Sequence, residues 1–453
     1  MSGHELVDAA IEASEEASDV VVRYVAQDSN QVRFSNSEID IAKHWSTSKM
    51  DVFIAMGRRV GSTQIEDPDP GKIEKRVRRL MANTRGIKES RIYGGISTEV
   101  GPSRDRDDLL DPGINTFGET AVRLVQQVIE SAEEQGAKRV AGSLEFEKNL
   151  VINRTNHGGG GSFRESSYQL NVRSFLDPET SGQGLSCGRR ISDAEERFVA
   201  AGEESGRIAA DAEGGVQGEA GRYDLLASPT VAANLLGQLA EGANPLMMML
   251  GLSPLVDRLG ETLGPSTLSV RDEPHRPEGL GSRYWDAEGV PTQQVELFNS
   301  GRFVGMVHNT GTASQHGVAS TGSSCLVSLG GSKMIAPWSS NIVFETGKTG
   351  FDEMVAGCDQ PTIYVTSNWY TRFSNYTEGT FSTIPRDGIF LIEGGEIVRP
   401  IRKIRISDNI IGMISRISDI GSDARQVYWW EVETPTFMPY VKFSDVNITA
   451  ATK

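Results

Sequence analysis

The chain has 453 residues, of which 38% are hydrophobic and 23% are charged, and this length and composition predict packed cores in two or three domains. Its 61 acidic and 45 basic residues give a net charge of −16, which argues against binding to a nucleic-acid backbone. Three widely spaced cysteines argue against a disulfide framework, and no apolar run reaches the ~20 residues of a membrane span. The acidic, amphipathic N-terminus is unlike a signal peptide, so we expect a soluble, cytoplasmic protein with no membrane partner.

Residues 1–90 alternate between helix and strand patterns. Apolar residues recur at helical spacing in residues 4–17, and strand-like runs follow at 19–25, from 31 onward and at 51–56. Gly57 begins a hairpin-like break, and a basic-acidic helix is predicted at about residues 70–85. This pattern predicts an N-terminal domain that begins with a meander of strands.

The next two regions differ in composition. Residues 91–116 are rich in Gly, Pro, Asp and Arg without periodicity, which predicts a linker. Residues 117–220 predict a central α/β domain, with long helices at about 117–137 and 191–212 and strands around 144–153 and 168–175.

Residues 221–453 contain many short strand-like runs separated by Gly, Asn and Pro turns, with one helical stretch near 229–243. That pattern is typical of a β-barrel or a sandwich-like domain. The predicted fold class is therefore α+β, with an N-terminal region of strand meander and long helices followed by a C-terminal β-rich domain.

Five short motifs stand in this C-terminal region. They are Asp286-Ala-Glu-Gly-Val-Pro-Thr292, Ser320-Thr-Gly-Ser323, Pro337-Trp-Ser-Ser-Asn341, Asn375-Tyr-Thr-Glu-Gly-Thr-Phe-Ser382 and Ile392-Glu-Gly-Gly-Glu-Ile-Val398. In this order they resemble the C-terminal domain of the TldD/TldE (PmbA) family of zinc metallopeptidases. Arg33-Phe-Ser-Asn-Ser-Glu38 resembles that family's N-terminal domain more weakly.

The catalytic branch of that family carries a His-Glu-x-x-x-His helix upstream of these motifs. An ungapped count back from Leu259-Gly-Glu261 matches it to Leu236-Gly-Gln-Leu-Ala-Glu241, so that Leu236 and Glu241 stand for the histidines and Gly237 for the glutamate. A zinc peptidase needs neutral imidazole or carboxylate ligands and a carboxylate base. The family's C-terminal cysteine also has no counterpart in residues 421–435. We therefore expect no zinc in this chain.

The resemblance implies a TldE-like, non-catalytic subunit of a heterodimer. Zinc is then expected in a TldD-like partner, and the substrate is expected to be unfolded or flexible peptide. Two alternatives stay open: a stand-alone peptidase with an unrecognised catalytic group, and a non-enzymatic binding or regulatory protein. For the first, Cys325 with His316 is a candidate pair, although we expect His308 and His316 to be polar loop residues.

An aromatic segment is the candidate for peptide binding. Trp369 and Tyr370 are adjacent, and Arg372 and Asn375 follow closely, a composition that suits a cleft holding extended backbone as an added strand. A role in the core of the barrel is the alternative. Because strand side chains alternate between faces, we expect Tyr370 and Arg372 to point away from Trp369 and Thr371.

Overall fold

The computed structural model describes residues 1–101, 104–191, 194–329 and 331–450. The last three residues of the predicted C-terminal domain, 451–453, lie outside this range, as do two residues of the predicted linker, 102–103. No helix in the described ranges is both long and apolar enough to cross a membrane.

The helices are α1 (Gly3–Glu12), α2 (Pro70–Gly86), α3 (Ile114–Glu134), α4 (Ala194–Asp211), α5 (Pro229–Glu241), α6 (Pro245–Met249), α7 (Thr310–His316), α8 (Phe351–Ala356) and α9 (Ile410–Ser415). The strands of the first half are β1 (Asp19–Ser35), β2 (Glu38–Met56), β3 (Arg59–Glu66), β4 (Arg104–Leu109), β5 (Arg139–Thr155), β6 (Gly160–Phe175) and β7 (Ser181–Gly188). Those of the second half are β8 (Val216–Gln217), β9 (Gly221–Ala227), β10 (Val270–Asp272), β11 (Val295–Asn299), β12 (Arg302–Phe303), β13 (Ser324–Leu329), β14 (Ser332–Pro337), β15 (Ile342–Phe344), β16 (Thr362–Asn375), β17 (Thr380–Glu393), β18 (Glu396–Arg402), β19 (Ile404–Asn409), β20 (Ile417–Trp429) and β21 (Val432–Ala450).

A seven-stranded sheet forms the N-terminal half, in the order β3-β2-β1-β5-β6-β4 with β7 beside β6. The predicted meander of strands is confirmed as β1, β2 and β3. The expected separate runs 19–25 and 31–39 are not separate strands: residues 19–35 form the single strand β1, and the chain turns only at Asn36 and Ser37, both with positive φ, before β2 begins. The β1–β5 pairing joins residues 1–90 and 117–220 in one sheet, and the predicted linker contains β4 and the start of α3.

Alternation along the N-terminal strands explains how this sheet is covered. Val20 and Val22 pack under α1 and α2, whereas Val21 faces the other way, toward Tyr93 and Ile335. Farther along the sheet, α3 and α4 cover residues of β5 and β6 such as Leu144. Both faces of the sheet are therefore buried around Val20–Val22, one of them partly by the β13–β14 hairpin of the C-terminal half.

The C-terminal half is built on a twelve-stranded sheet. Its pairings close on themselves, because β21 pairs with β9, β9 with β16, β16 with β17, β17 with β19 and β19 again with β21. This ring confirms a barrel-like C-terminal domain in an α+β fold. The largest apolar core lies in this half, and the side chains of α5 contribute much of it.

Candidate functional site

Helix α5 is the central element of the candidate site. Its first turn is fixed by Pro229 and by Ser228, whose Oγ accepts a hydrogen bond from the Val231 N–H at 3.3 Å. The Ser228 hydroxyl also donates to the Thr366 carbonyl at 2.6 Å, which ties the start of the helix to β16. The helix ends at Glu241, where Gly242 follows. These contacts hold one face of α5 toward β16 and β21.

That face of α5 borders a cavity of about 410 Å³, which we call the α5 cavity. The helix contributes Asn234, Gly237, Gln238 and Glu241 to its lining. The other walls are formed by the following residues: Asn244, Met247, Leu252, Pro254, Trp338, Ser339, Thr371, Arg372, Phe373, Tyr376, Ile410 and residues 430–433. The helix therefore lines the cavity with polar groups, and the aromatic side chains Trp338, Phe373, Tyr376 and Trp430 line other parts of its wall.

The three positions matched to the zinc motif fall in different surroundings. Gly237 and Glu241 line the α5 cavity, whereas Leu236 is 1% exposed and belongs to the apolar core. A Cβ at position 237 would meet only the Thr436 hydroxyl, at 3.5 Å, so there is room for a side chain at this position. The glutamate base of the family motif is therefore absent because the sequence has glycine at position 237, and not because a side chain would be too crowded there.

Matching the motif one residue later gives Gly237, Gln238 and Gly242, and all three of these residues line the cavity. None of them is a zinc ligand, so the outcome does not depend on the register of the match. Within the described residues, no group of three or more His, Cys, Asp or Glu side chains is placed to hold a metal ion. The residues around α5 therefore do not fit the zinc site of the catalytic branch.

Glu241 is nevertheless an unusual carboxyl group. Burial raises the pKa of Glu241 to about 7, and the negative charge of Glu433 adds to the rise, although the hydroxyl and amide of Thr434 moderate it. Within the described residues Glu241 forms no ion pair. It is therefore a carboxyl group that a nearby cation would ionise.

A polar cluster shapes the wall opposite α5. The Glu431 carboxylate accepts hydrogen bonds from the backbone amides of Tyr370 at 2.8 Å and Thr371 at 3.4 Å. Asn234 donates to the Glu431 carbonyl at 2.8 Å and receives a hydrogen bond from Asn368 at 2.7 Å. These bonds fix a bulge in β16 at Tyr370, whose φ of +57° lies in the left-handed region that non-glycine residues rarely adopt.

The bulge places two of the predicted peptide-binding residues near the cavity. Arg372 lines the α5 cavity, and its guanidinium group lies 5.8 Å from the ring of Tyr370. Tyr370 is 46% exposed, and its ring centroid lies 5.7 Å from that of Trp430. Tyr370 and Arg372 are exposed and Thr371 is buried, but Thr371 and Arg372 both line the cavity, because the bulge interrupts the expected alternation of faces.

The other two predicted residues have structural contacts. Trp369 is half-buried against the apolar core, with the guanidinium groups of Arg173 and Arg386 4.6 Å and 5.2 Å from its ring. Asn375 ends β16, and its side chain accepts hydrogen bonds from the Thr377 hydroxyl and the Glu378 amide. Neither of these two residues lines the described part of the α5 cavity.

Several residues of the cavity wall were not among the predicted site residues. Trp338 lies within the Pro337–Asn341 motif, and Trp430 belongs to the Trp429-Trp430 pair, so both carried a signal in the sequence. Tyr376 follows Asn375 directly. Glu433 carried no signal, because an exposed glutamate near a turn is an ordinary surface residue.

The motif from Asp286 to Thr292 has a structural role. The buried Asp286 carboxylate accepts hydrogen bonds from the amides of Glu288, Val290 and Ser324 at 2.9–3.0 Å. Asn153 of β5 donates to the backbone carbonyls of this turn, so the motif joins the two halves of the chain. Burial and the neighbouring Glu288 raise the pKa of Asp286, and burial also raises the pKa of Glu288.

The histidine pair matches the expectation of two loop residues only in part, since His308 lies in the loop before α7 but is buried, and His316 belongs to the helix. His308 is 5% exposed and His316 ends α7, and their ring centroids lie 5.2 Å apart. Burial, with His316 adjacent, lowers the pKa of His308 to about 4. The described lining of the α5 cavity includes neither histidine and no cysteine.

Residues 220–450, just over half of the chain, match the model of the PmbA/TldA metallopeptidase C-terminal domain. The chain belongs to the PmbA/TldD family of metallopeptidases. A metalloprotease of Methanothermobacter thermautotrophicus is 25% identical over 211 residues, which are 45% of this chain and 44% of that protein. The metalloprotease PmbA of Escherichia coli O157:H7 is 27% identical over 169 residues, 37% of this chain and 34% of that protein. The matched segments thus span less than half of the length of these curated relatives.

The fold of this PmbA/TldD family member extends the likeness to the whole chain. The crystal structure of TldE from Thermococcus kodakarensis superposes with a TM-score of 0.81 and covers 99% of each chain. The sequence identity is 19%, so this similarity concerns the fold alone.

Proposed function

We propose that the chain is the non-catalytic, TldE-like subunit of a heterodimeric zinc peptidase that degrades unfolded or flexible peptides. The observation that carries the proposal is the α5 cavity, which is open at Gly237 and Glu241 but offers no zinc-binding set of side chains in the described residues. Zinc supplies a Lewis acid and an activated water to a peptidase, and a TldD-like partner would provide both.

The rim of the cavity supports a binding role. Three of its lining residues are large and exposed: Leu252 is 39% exposed, Tyr376 is 44% and Trp430 is 50%. Exposed apolar side chains around a concave site are typical of surfaces that a peptide or a partner protein covers. The bulge at Tyr370 adds an exposed aromatic ring to the same rim.

The test is an assay of a disordered, internally quenched peptide with three preparations. These are the chain alone, the His-Glu-x-x-x-His family member of the same organism alone, and the two mixed in equal amounts. We expect co-elution of the two chains and much faster cleavage by the mixture than by either chain. Cleavage by this chain alone would contradict the proposal and favour a stand-alone peptidase.

A pair of variants extends the test to the rim. Trp430→Ala removes an exposed aromatic side chain from the cavity, so the mixture should cleave peptide more slowly while the variant melts at the wild-type temperature. Val398→Ala, at a residue 47% exposed on β18 and outside the described lining of the cavity, serves as the control. Equal cleavage by both variants would exclude Trp430 from substrate or partner binding.

A further inference from the structure

The α5 cavity adjoins a second concave surface between the two halves of the chain. This interdomain groove, also about 410 Å³, lies between strands β5 and β6 and the C-terminal half. Trp338, Ser339 and Glu433 line both the cavity and the groove, so the two adjoin and share one wall. We call the cavity and the groove together the cleft.

Carboxylates outnumber cations along this cleft. The acidic residues of the lining are Glu145, Glu147, Glu165, Glu241, Glu431 and Glu433, and the basic ones are Arg189, Arg283 and Arg372. Arg189 forms an ion pair with Glu165 at 2.9 Å, and the Glu431 carboxylate accepts hydrogen bonds from backbone amides. Glu165 and Glu431 therefore already have partners within the chain. Glu241 and Glu433 form no ion pair within the described residues; both line the α5 cavity, and Glu433 also lines the groove.

The end of α5 strengthens the negative potential at Glu241. Glu241 is the last residue of the helix, so its side chain starts from the helix C-terminus. The C-terminus of a helix carries about half a negative charge and favours cations. Two unpaired carboxyl groups and a helix C-terminus therefore meet in one cavity.

An independent observation at the junction indicates a polar ligand. Ser339 is 6% exposed, and its hydroxyl has no hydrogen-bond partner among the described residues although it borders both the cavity and the groove. Buried hydroxyl groups nearly always find a partner, so an unsatisfied one in a cavity wall is suited to a group that enters from outside. The peptide backbone offers such donors and acceptors.

The aromatic walls suit a cationic side chain. Trp338, Trp430, Phe373 and Tyr376 line the same cavity as Glu241. Aromatic faces attract ammonium and guanidinium groups and also pack against the methylene stems of lysine and arginine. Arg372, the one basic residue in the described lining of the cavity, lies at the exposed rim near Tyr370.

We propose that this cleft binds extended peptide segments through a lysine or arginine side chain, which enters the α5 cavity and pairs with Glu241 and Glu433. The proposal deepens the proposed function, on which it rests for the peptide nature of the substrate. The backbone of the bound segment runs past the Ser339 hydroxyl and continues into the groove. A segment without a positive charge leaves two carboxyl groups without a counter-ion.

The titration of Glu241 gives the binding a pH signature. The charged groups around Glu241 in the cavity are Glu431, Glu433 and Arg372, and no histidine is among the described lining residues. Because the pKa of Glu241 is raised to about 7, its carboxylate form, which attracts a cation, grows as the pH rises through that value. The affinity for a lysine-bearing segment should therefore increase from pH 6 to pH 8.

The experiment measures direct binding to the full-length chain by fluorescence anisotropy. The probes are two labelled, flexible Gly/Ser-rich peptides that differ only at a central residue, lysine in one and norleucine in the other. We expect the lysine peptide to bind about tenfold more tightly, which is about 1.4 kcal/mol. Equal affinities for the two peptides would overturn the proposal.

Variants with matched charge locate the effect. Glu241→Gln and Glu433→Gln should each reduce the preference for lysine at least several-fold, while Glu396→Gln, an exposed change on β18 with the same effect on net charge, should leave it intact. A loss of preference in Glu396→Gln as large as in the cavity variants would assign the effect to the general negative field of the chain and overturn the proposal. Thermal melting of each variant shows whether it is folded.

The result of the peptide-binding experiment can be distinguished from the result of the peptidase assay. A chain that fails to activate a zinc-bearing partner but prefers lysine peptides refutes the subunit role alone. A chain that activates the partner without any charge preference refutes the inference alone.

Discussion

Glu431 accepts a hydrogen bond from the backbone amide of Tyr370 at 2.8 Å, and so a carboxylate at the β20–β21 turn holds the bulge of β16. A bulge with a tyrosine at φ +57° costs free energy and persists only where its surroundings fix it. The wall of the α5 cavity that carries Tyr370 and Arg372 therefore depends on a residue some sixty positions later in the chain.

This dependence predicts the effect of Glu431→Gln. The amide keeps one acceptor oxygen but turns a donor toward backbone N–H groups that now bond to the carboxylate. We expect a decrease in the free energy of unfolding of about 1–3 kcal/mol, measured by urea denaturation. Glu433→Gln, an exposed neighbour with no hydrogen bond in the described structure, should be close to wild type. A Glu431→Gln variant as stable as wild type would mean that the bulge does not need this carboxylate.

The two aromatic residues of β16 should respond differently to truncation. Trp369 packs against the core and two guanidinium groups, so Trp369→Ala should lower the melting temperature, with a loss toward the 3–5 kcal/mol typical of buried aromatics. Tyr370 is 46% exposed, so Tyr370→Ala should change stability little and should instead weaken peptide cleavage by the assembled pair. If both variants lost stability and both complexes cleaved normally, the segment would be part of the core and not of a peptide cleft.

The sequence allowed the long elements of the fold to be predicted, and the reasons are local. Helix α2 was predicted within a residue of its ends, because Pro70 and the charge pattern mark it. The break inside β1 was predicted wrongly, because Asp28 and Asn30 are typical of turns, whereas here they pair regularly with β2 and β5. Long-range pairing overrode a local preference.

The candidate site was predictable only in part. The sequence from Leu236 to Glu241 shows directly that the zinc motif is not matched. The position of Glu241 in the same cavity as Glu433 and Trp338 could not be predicted, because about 190 and 100 residues separate them in the chain and no local sequence pattern indicates that they line one cavity. Asn375 was singled out for its neighbours in sequence, and the structure places its side chain in the β16–β17 turn.

Glu241 predicts a pH dependence of stability. Its pKa in the folded chain, about 7, lies above the ordinary 4.5, so the folded state binds this proton more tightly than the unfolded state. The contribution of Glu241 to stability is therefore largest below about pH 4.5 and is lost as the pH rises to about 7. Relative to wild type, Glu241→Gln should gain about 1–3 kcal/mol in unfolding free energy between pH 4.5 and pH 8. Glu396→Gln should show no such trend, and a flat difference for Glu241→Gln would show that its carboxyl titrates normally.

The buried pair of Asp286 and Glu288 predicts a second pH effect. Burial raises the pKa of both carboxyl groups, so ionising them costs stability as the pH rises. Glu288→Gln removes one charge, and its unfolding free energy relative to wild type should increase from pH 5 to pH 8. Asp286→Asn is the contrasting variant, because its amide would face backbone N–H donors and should destabilise the chain at every pH. A Glu288→Gln variant less stable than wild type at pH 8 would argue against the buried charge as the cause.

The most direct test of the non-catalytic assignment is the zinc content of the purified chain, measured by elemental analysis after dialysis against zinc-containing buffer and then metal-free buffer. The account predicts no stoichiometric zinc in the chain alone and zinc bound in the mixture with a His-Glu-x-x-x-His partner, in proportion to the partner. One tightly held zinc per chain in the isolated protein would contradict it, and His308 and His316 would then be the first ligands to replace.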